Sequence, residues 1–159
     1  MTIIIIILYF ITDENTKIFN KQVWPIKKEN RLKELIVFNP YNKNKDNTII
    51  DPYSLTHFSH GIIFYYIVNY NKYDGNNYIY ALLLEIIWEL NENMPYIINL
   101  YREKDKYSMN YRGDSIINII SDIIFMSLGY YASINNKYAY IYVIIIEIFL
   151  YFAIKDNLI

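Results

Sequence analysis

Two histidines and a series of carboxylates recur at helical spacing inside otherwise apolar sequence. His57 and His60 stand at i, i+3, with Gly61 beside them to allow close helix approach. Glu85, Glu89 and Glu92 follow i, i+4, i+7 in LLLEIIWELNEN, and Asp114, Asn118 and Asp122 follow i, i+4, i+8 in GDSIINIISDIIF. Each set therefore stripes one face of a helix. A carboxylate at mid-membrane costs about 3 kcal/mol on insertion scales. Three uncompensated ones would cost roughly 8–10 kcal/mol, as much as a whole domain's stability. The groups must be protonated, paired, solvated or bound to a cation.

Imidazole with carboxylate suits Zn, Mn or Fe, and carboxylates on facing helices build di-metal sites. A divalent metal ion so held lowers the pKa of bound water and makes a nucleophile. The candidate metal ligands are His57, His60, Glu85 and Asp51, and the candidate catalytic residues are Glu89, Glu92, Asp114 and Asp122. Arg102 and Arg112, with Asn93 and Asn118, are the candidate binding residues, since arginines hold phosphate. The chemistry that fits is metal-assisted hydrolysis or transfer on a lipid or polyprenyl phosphate. Two other readings stand beside it. One is a non-catalytic membrane scaffold whose polar core fixes helix register without metal. The other is a small ion- or proton-coupled carrier, since mid-depth carboxylates serve proton relays. Asp51-Pro52 ahead of Tyr53 and Ser54 also reads as a helix start, and Gly113-Asp114-Ser115 as another, with Asp114 as its cap. Glu147 is expected to join the seam as a hydrogen-bond partner or protonated acid.

Five apolar stretches must position these residues: 3–11, 53–70, 78–100, 115–134 and 138–154. The first is too short to cross a ~30 Å hydrocarbon core at ~1.5 Å per residue. The other four are long enough to span, with a kink expected at Pro95. The expectation is an all-α, multi-pass transmembrane bundle in one membrane domain, 1–159. It comprises a short hydrophobic helix over 1–12, a charged cytoplasmic-side segment over 13–52 and a four-helix core over 53–159. The stretches 115–134 and 138–154 lack the charged outer face that a soluble bundle would show. Lysine and arginine gather at 17–45 and 102–112, whereas the other loops hold Lys72 and Lys137 alone. By the positive-inside rule the basic loops are cytoplasmic and the N-terminus is outside. That orientation puts His57, His60, Glu89, Glu92, Asp114 and Asp122 between the membrane middle and the cytoplasmic face.

Composition narrows the classes further. The 159 residues are 54% hydrophobic, include 19 tyrosines and no cysteine, and carry a net charge of −1. There is no thiolate ligand or disulfide, and no basic field for nucleic acid. The abundance of Ile, Asn, Tyr and Lys follows A/T-rich codons.

The ordered motifs D51-P52-Y53-S54-x-x-H57-F58-x-H60-G61, E85-x-x-W88-E89-x-x-E92-N93, Y101-R102-E103 and Y111-x-G113-D114-S115-I116-x-N118-x-x-x-D122 resemble the DUF2585 family, also called UPF0314. The resemblance covers about 51–158 and extends to the ending Ile154-Lys155-Asp156-Asn157-Leu158. It implies a multi-pass helical membrane protein without an assigned activity. It also implies that His57, His60, Glu89, Glu92, Asn93, Arg102, Asp114, Asn118 and Asp122 act as a set. The family usually carries Ser-Gln-His upstream, where this chain has Asp46-Asn47-Thr48, so that histidine is replaced here. A looser, fold-level similarity to VanZ-like membrane proteins lies in the order Asp, His, Glu, Asp across successive helices.

Overall fold

A computed structural model of the chain describes residues 25–70, 77–104 and 108–154. Five α-helices dominate them: α1 (Ser54–Asn69), α2 (Asn77–Glu92), α3 (Pro95–Lys104), α4 (Ile116–Ile134) and α5 (Tyr140–Ile154). Ahead of α1 come two short 3-10 turns, Lys28–Asn30 and Lys45–Asn47, and a parallel bridge between Ile36 and Ile50. The apolar stretch 3–11 lies outside the described residues.

The fold is all-α, as expected from the apolar stretches, and α1, α4 and α5 start and stop close to them. The stretch 78–100 behaves differently. It forms two helices rather than one kinked span, because Pro95 opens α3 at its first position. Proline lacks the N–H that a helix interior needs, but the first helical position has no use for one. Asn93, fully buried at the break, donates from its side-chain amide to the Glu89 carbonyl at 2.9 Å.

The expectation of four full spans is overturned. Among the described residues only α4, with 19 residues, is long and apolar enough to cross a membrane. Helices α1 and α2 have 16 residues each, about 24 Å at 1.5 Å per residue against a core of about 30 Å. Ser54, Thr56, His57, Ser59 and His60 in α1, and Glu85 and Glu89 in α2, lower their hydropathy further. Helix α5 is apolar but has 15 residues. The integral topology, with the N-terminus outside and basic loops cytoplasmic, is overturned for the same reason. Loop charge assigns sides only where spans separate the loops, so the depths assigned to the polar residues go with it. The coarser expectation, association with a membrane, keeps its support. Helix α4 has the required length, and α5 turns Ile141, Ile144, Ile145, Ile148, Phe149 and Phe152 outward.

The chain forms two compact units, the first Met1–Asp51 with Ile86–Ile120 and the second Pro52–Glu85 with Ser121–Ile159. In the second, α1 packs on α5 and crosses α4 at two glycines. A Cβ on Gly61 would sit 1.9 Å from the Met126 carbonyl oxygen, and one on Gly129 2.0 Å from that of Phe58. The contact is thus backbone against backbone from both sides, the close approach that small residues permit. Ala81, Met126 and Tyr130 form the apolar core beside it, with Phe64, Tyr65, Val68, Tyr78 and Leu82 packed around them. The Tyr130 ring meets those of Tyr65 and Tyr78 edge-on, with centroids 5.3 Å apart in each pair.

In the first unit, Val37 N–H donates to the Ile50 carbonyl at 2.9 Å, and Ser115 N–H to the Asp46 carbonyl at 3.0 Å. The segment before α1 is thereby tied to the start of α4.

Gly61→Ala tests the crossing. Alanine is the better helix former, yet its methyl group meets backbone that cannot rotate away. The variant is expected to lose about 1–3 kcal/mol of stability, read as a lower chemical-unfolding midpoint. An unchanged or higher midpoint would contradict the close approach.

Candidate metal centre

In the second unit, one turn of α1 presents His57 and His60, both buried. Between them lies Glu85, from α2, with no exposed surface at all. Its Oε1 is 2.5 Å from His57 Nδ1 and its Oε2 is 3.2 Å from His60 Nδ1, so each oxygen serves one imidazole. Burial pushes the Glu85 carboxyl up. The hydrogen bonds from His57 and His60, and their charge, outweigh that and hold it below the usual glutamate range. The two rings meet edge-on at 5.1 Å, and His60 stacks on Phe64 at 5.5 Å. From α4, Asp122 turns its Oδ2 to within 3.9 Å of His57 Nε2. Its Oδ1 accepts from Ser54 Oγ at 3.4 Å. His57, His60 and Glu85 each bring a donor atom within 4.8 Å of the others, a buried group able to coordinate a metal ion. These three residues lie outside α4, the one described helix of spanning length, whereas Asp122 is on it.

The first unit holds a second group, Glu89, Glu92 and Asp114, whose oxygens also lie within 4.8 Å of one another. Here Asp114 and Glu92 meet ordinary donors. Tyr111 Oη donates to Asp114 Oδ2 at 2.5 Å, and Asn93 Nδ2 to the same oxygen at 3.4 Å. Asn93 Oδ1 accepts from the Asp114 N–H at 2.8 Å, and Tyr101 Oη donates to Glu92 Oε1 at 3.1 Å. Gly113 makes this geometry possible. Its φ is +82°, and a Cβ there would lie 2.6 Å from Asn93 Oδ1.

A buried lysine completes the first unit's polar core. Lys45 Nζ lies 2.8 Å from Asp46 Oδ1 and 5.9 Å from the centre of the Tyr111 ring. Burial alone would lower its pKa. Asp46, then the charges of Asp51 and Asp114, reverse that and hold it above the usual lysine value. Burial, with the neighbouring Asp114 and Glu92, pushes the Tyr111 hydroxyl well above its usual value.

The expected site residues therefore divide. His57, His60, Glu85 and Asp122 come together in the second unit. Asp51, expected as a ligand, belongs to the first, where it is buried and acts on Lys45. Glu89, Glu92, Asn93 and Asp114 form the first unit's cluster. Asn118 donates to the Thr48 carbonyl at 3.3 Å. Arg102 braces the chain before α4, with Nε on the Tyr111 carbonyl and Nη1 3.4 Å from Asn99 Oδ1, while Arg112 is exposed. Asp114 does not cap α4. Ser115 does, its Oγ accepting from the Asn118 N–H at 3.4 Å. Glu147 is half-buried on α5. Sequence reasoning missed Lys45, which looked like one more loop charge, and Ser54, which looked like a cap. The contact that holds Ser54 comes from Asp122, 68 residues away, and no local pattern announces either residue.

The basic limb of the stability profile tests the lysine core. Lys45 and Tyr111 both have folded pKa values raised above the ordinary 10.5 and 10.0. Each contributes stability that is complete below those values and is lost as pH rises through the folded value. Wild-type stability should fall as pH climbs past about 10, the usual tyrosine value. Lys45→Met should show a shallower fall. At neutral pH it should be about 3–5 kcal/mol less stable, because Asp46 stays buried without its partner. Urea titrations across that range measure both, and a flat wild-type profile would contradict the arrangement.

Residues 33–159 match the family model described as "Protein of unknown function (DUF2585)". A UPF0314 protein of Rhizobium etli is 39% identical over 113 residues, 68% of this chain and 57% of its own length. One from Agrobacterium fabrum is 36% identical over 115 residues, 69% of this chain and 58% of its own length. One from Sphingopyxis alaskensis is 34% identical over 122 residues, 74% and 64% respectively. The chain spans less than two thirds of the length of these curated relatives. No solved structure matches. With its match running from residue 33 to the last residue and these relatives agreeing at a third or more of aligned positions, the chain belongs to the DUF2585 (UPF0314) family.

Proposed function

We propose that this protein is a membrane-associated, metal-dependent hydrolase or transferase acting on a lipid or polyprenyl phosphate. The observation that carries the reading is the buried group of His57, His60 and Glu85. A fully buried carboxylate shared by two imidazoles is an expensive arrangement for an apolar helix pair. It is economical where it presents nitrogen lone pairs to a cation. A divalent ion held by these histidines would supply Lewis-acid chemistry toward water and phosphoryl oxygens near neutral pH. The lipid part of the substrate is supported by the apolar surfaces turned outward on α4 and α5, among them Ile124, Leu128, Ile144 and Phe149. Arg102 already holds the Tyr111 carbonyl, which favours a bracing role for it over a grip on phosphate.

The scaffold reading has its own support for the first unit. Asp114 and Glu92 receive hydrogen bonds from Tyr111, Asn93 and Tyr101, the pattern of a polar core that fixes backbone register. Applied to the first unit alone, it makes those carboxylates structural, while the hydrolase reading keeps the second unit's cluster as the catalytic one.

Elemental analysis of the purified full chain is expected to find a stoichiometric divalent metal. The metal-loaded protein should release inorganic phosphate from a polyprenyl phosphate or from phosphatidic acid in mixed micelles, and a chelator should stop it. His57→Ala and His60→Ala should each lower turnover by about 100-fold or more, since both alter the metal's immediate surroundings. Protein that takes up no Zn, Mn or Fe, and turns over neither phosphoester in their presence, would overturn the reading.

A further inference from the structure

The two carboxylates beside His57 are in different chemical positions. Glu85 faces ring nitrogen Nδ1 on both histidines, at 2.5 Å on His57 and 3.2 Å on His60. These are hydrogen-bond distances, and an ionised carboxylate only accepts. Both rings must then carry a proton on Nδ1, so a metal ion can reach only Nε2, displacing any proton held there. A metal-ligating histidine normally donates its other ring N–H to such a carboxylate. Asp122 stands on the opposite side of the His57 ring, with Oδ2 3.9 Å from Nε2. That distance is too long for a hydrogen bond. Two coordination bonds of about 2.0–2.1 Å at a tetrahedral angle bring their donor atoms to about 3.3–3.4 Å, so the pair would close by about half an ångström on an ion. The other oxygen of Asp122 is held by Ser54 Oγ, whose side chain has no exposed surface.

We infer that the divalent cation binds between His57 Nε2 and Asp122 Oδ2. Glu85 is then the orienting carboxylate of both imidazoles and not a ligand, and Ser54 is the positioning residue for Asp122. The inference rests on the metal reading above and divides its roles. Glu85 and Asp122 exchange the duties that their spacing suggests, since the glutamate fixes tautomers and the aspartate touches the ion. Ser54, at the first position of α1, holds Asp122 Oδ1 so that Oδ2 stays turned to the imidazole.

The absence of cysteine from the chain gives a clean test. Cobalt(II) is titrated into metal-stripped wild type, Asp122→Cys, Glu85→Cys and Ser54→Ala, and absorption is recorded. A thiolate bound to cobalt gives an intense near-ultraviolet charge-transfer band, and no native thiol can contribute one. The expected result is that the wild type binds cobalt without that band, Asp122→Cys shows it and Glu85→Cys does not. Ser54→Ala should bind about 10-fold more weakly, at the lower end of outer-shell effects, with unchanged helix content by circular dichroism. A band in Glu85→Cys, or its absence from a folded Asp122→Cys, overturns the assignment while the wild type's cobalt binding leaves the metal reading standing. If Asp122→Cys does not fold, unchanged cobalt affinity in Ser54→Ala overturns the assignment instead. Wild-type protein that binds no cobalt overturns both.

Discussion

The burial of the Glu85 carboxylate is the constraint on which the second unit turns. A carboxylate with no access to water must find charge-assisted donors or give up its charge. Here the donors are two imidazoles on successive positions of one helix face, each taking one oxygen. That requirement fixes the rotation of α1, because His57 and His60 must both face inward. It also fixes the height of α1 against α2. The backbone contacts at Gly61 and Gly129 then set α4 close enough to bring Asp122 to the far side of the His57 ring. Geometry at the cluster and packing at the crossing are therefore one solution.

The molecule distributes polarity in the reverse of the usual order. Along α2, Asn77, Ala81, Glu85 and Glu89 are buried at every fourth position, while Ile79, Tyr80, Leu83 and Ile87 are exposed. Along α4, Asn118, Ser121, Asp122 and Ser133 are buried, while Ile124, Leu128 and Tyr131 face out. Water as the only solvent would penalise both choices. An apolar surrounding on at least part of this surface would relieve them. That is the physical content of membrane association here, and it does not depend on how many helices have spanning length.

Much of this was legible in the sequence, and the failures have identifiable causes. The stripes at 85–92 and 114–122 announced inward polar faces, since three or four residues of separation on a helix leave little freedom. His57, His60 and Glu85 stand, with Asp51, among the expected metal ligands, and the fold brings the first three together. The four spans are not formed, because polar residues inside the apolar stretches leave only α4 long and apolar enough among the described residues. Pro95 inside an apolar stretch predicts a kink, whereas the buried Asn93 two residues earlier closes one helix and lets the proline start another. Lys45 and Ser54 were invisible as functional residues. A lysine among eight basic residues carries no sign that it is the buried one, and a serine before an apolar run looks the same whether it caps a helix or holds a carboxylate.

The glycines carry a consequence of another kind. The chain's bias toward Ile, Asn, Tyr and Lys is what drift toward A and T in the codons produces, and glycine codons begin with two Gs. Only four glycines remain in 159 residues. Gly61, Gly113 and Gly129 lie among the described residues, and a methyl group at any of them would strike a neighbour at 2.6 Å or less. At Gly61 and Gly129 the neighbour is backbone, so no second substitution nearby can make room. Gly61 and Gly129 stand where one main chain lies directly against another, so the crossing they make has no side-chain alternative at either point.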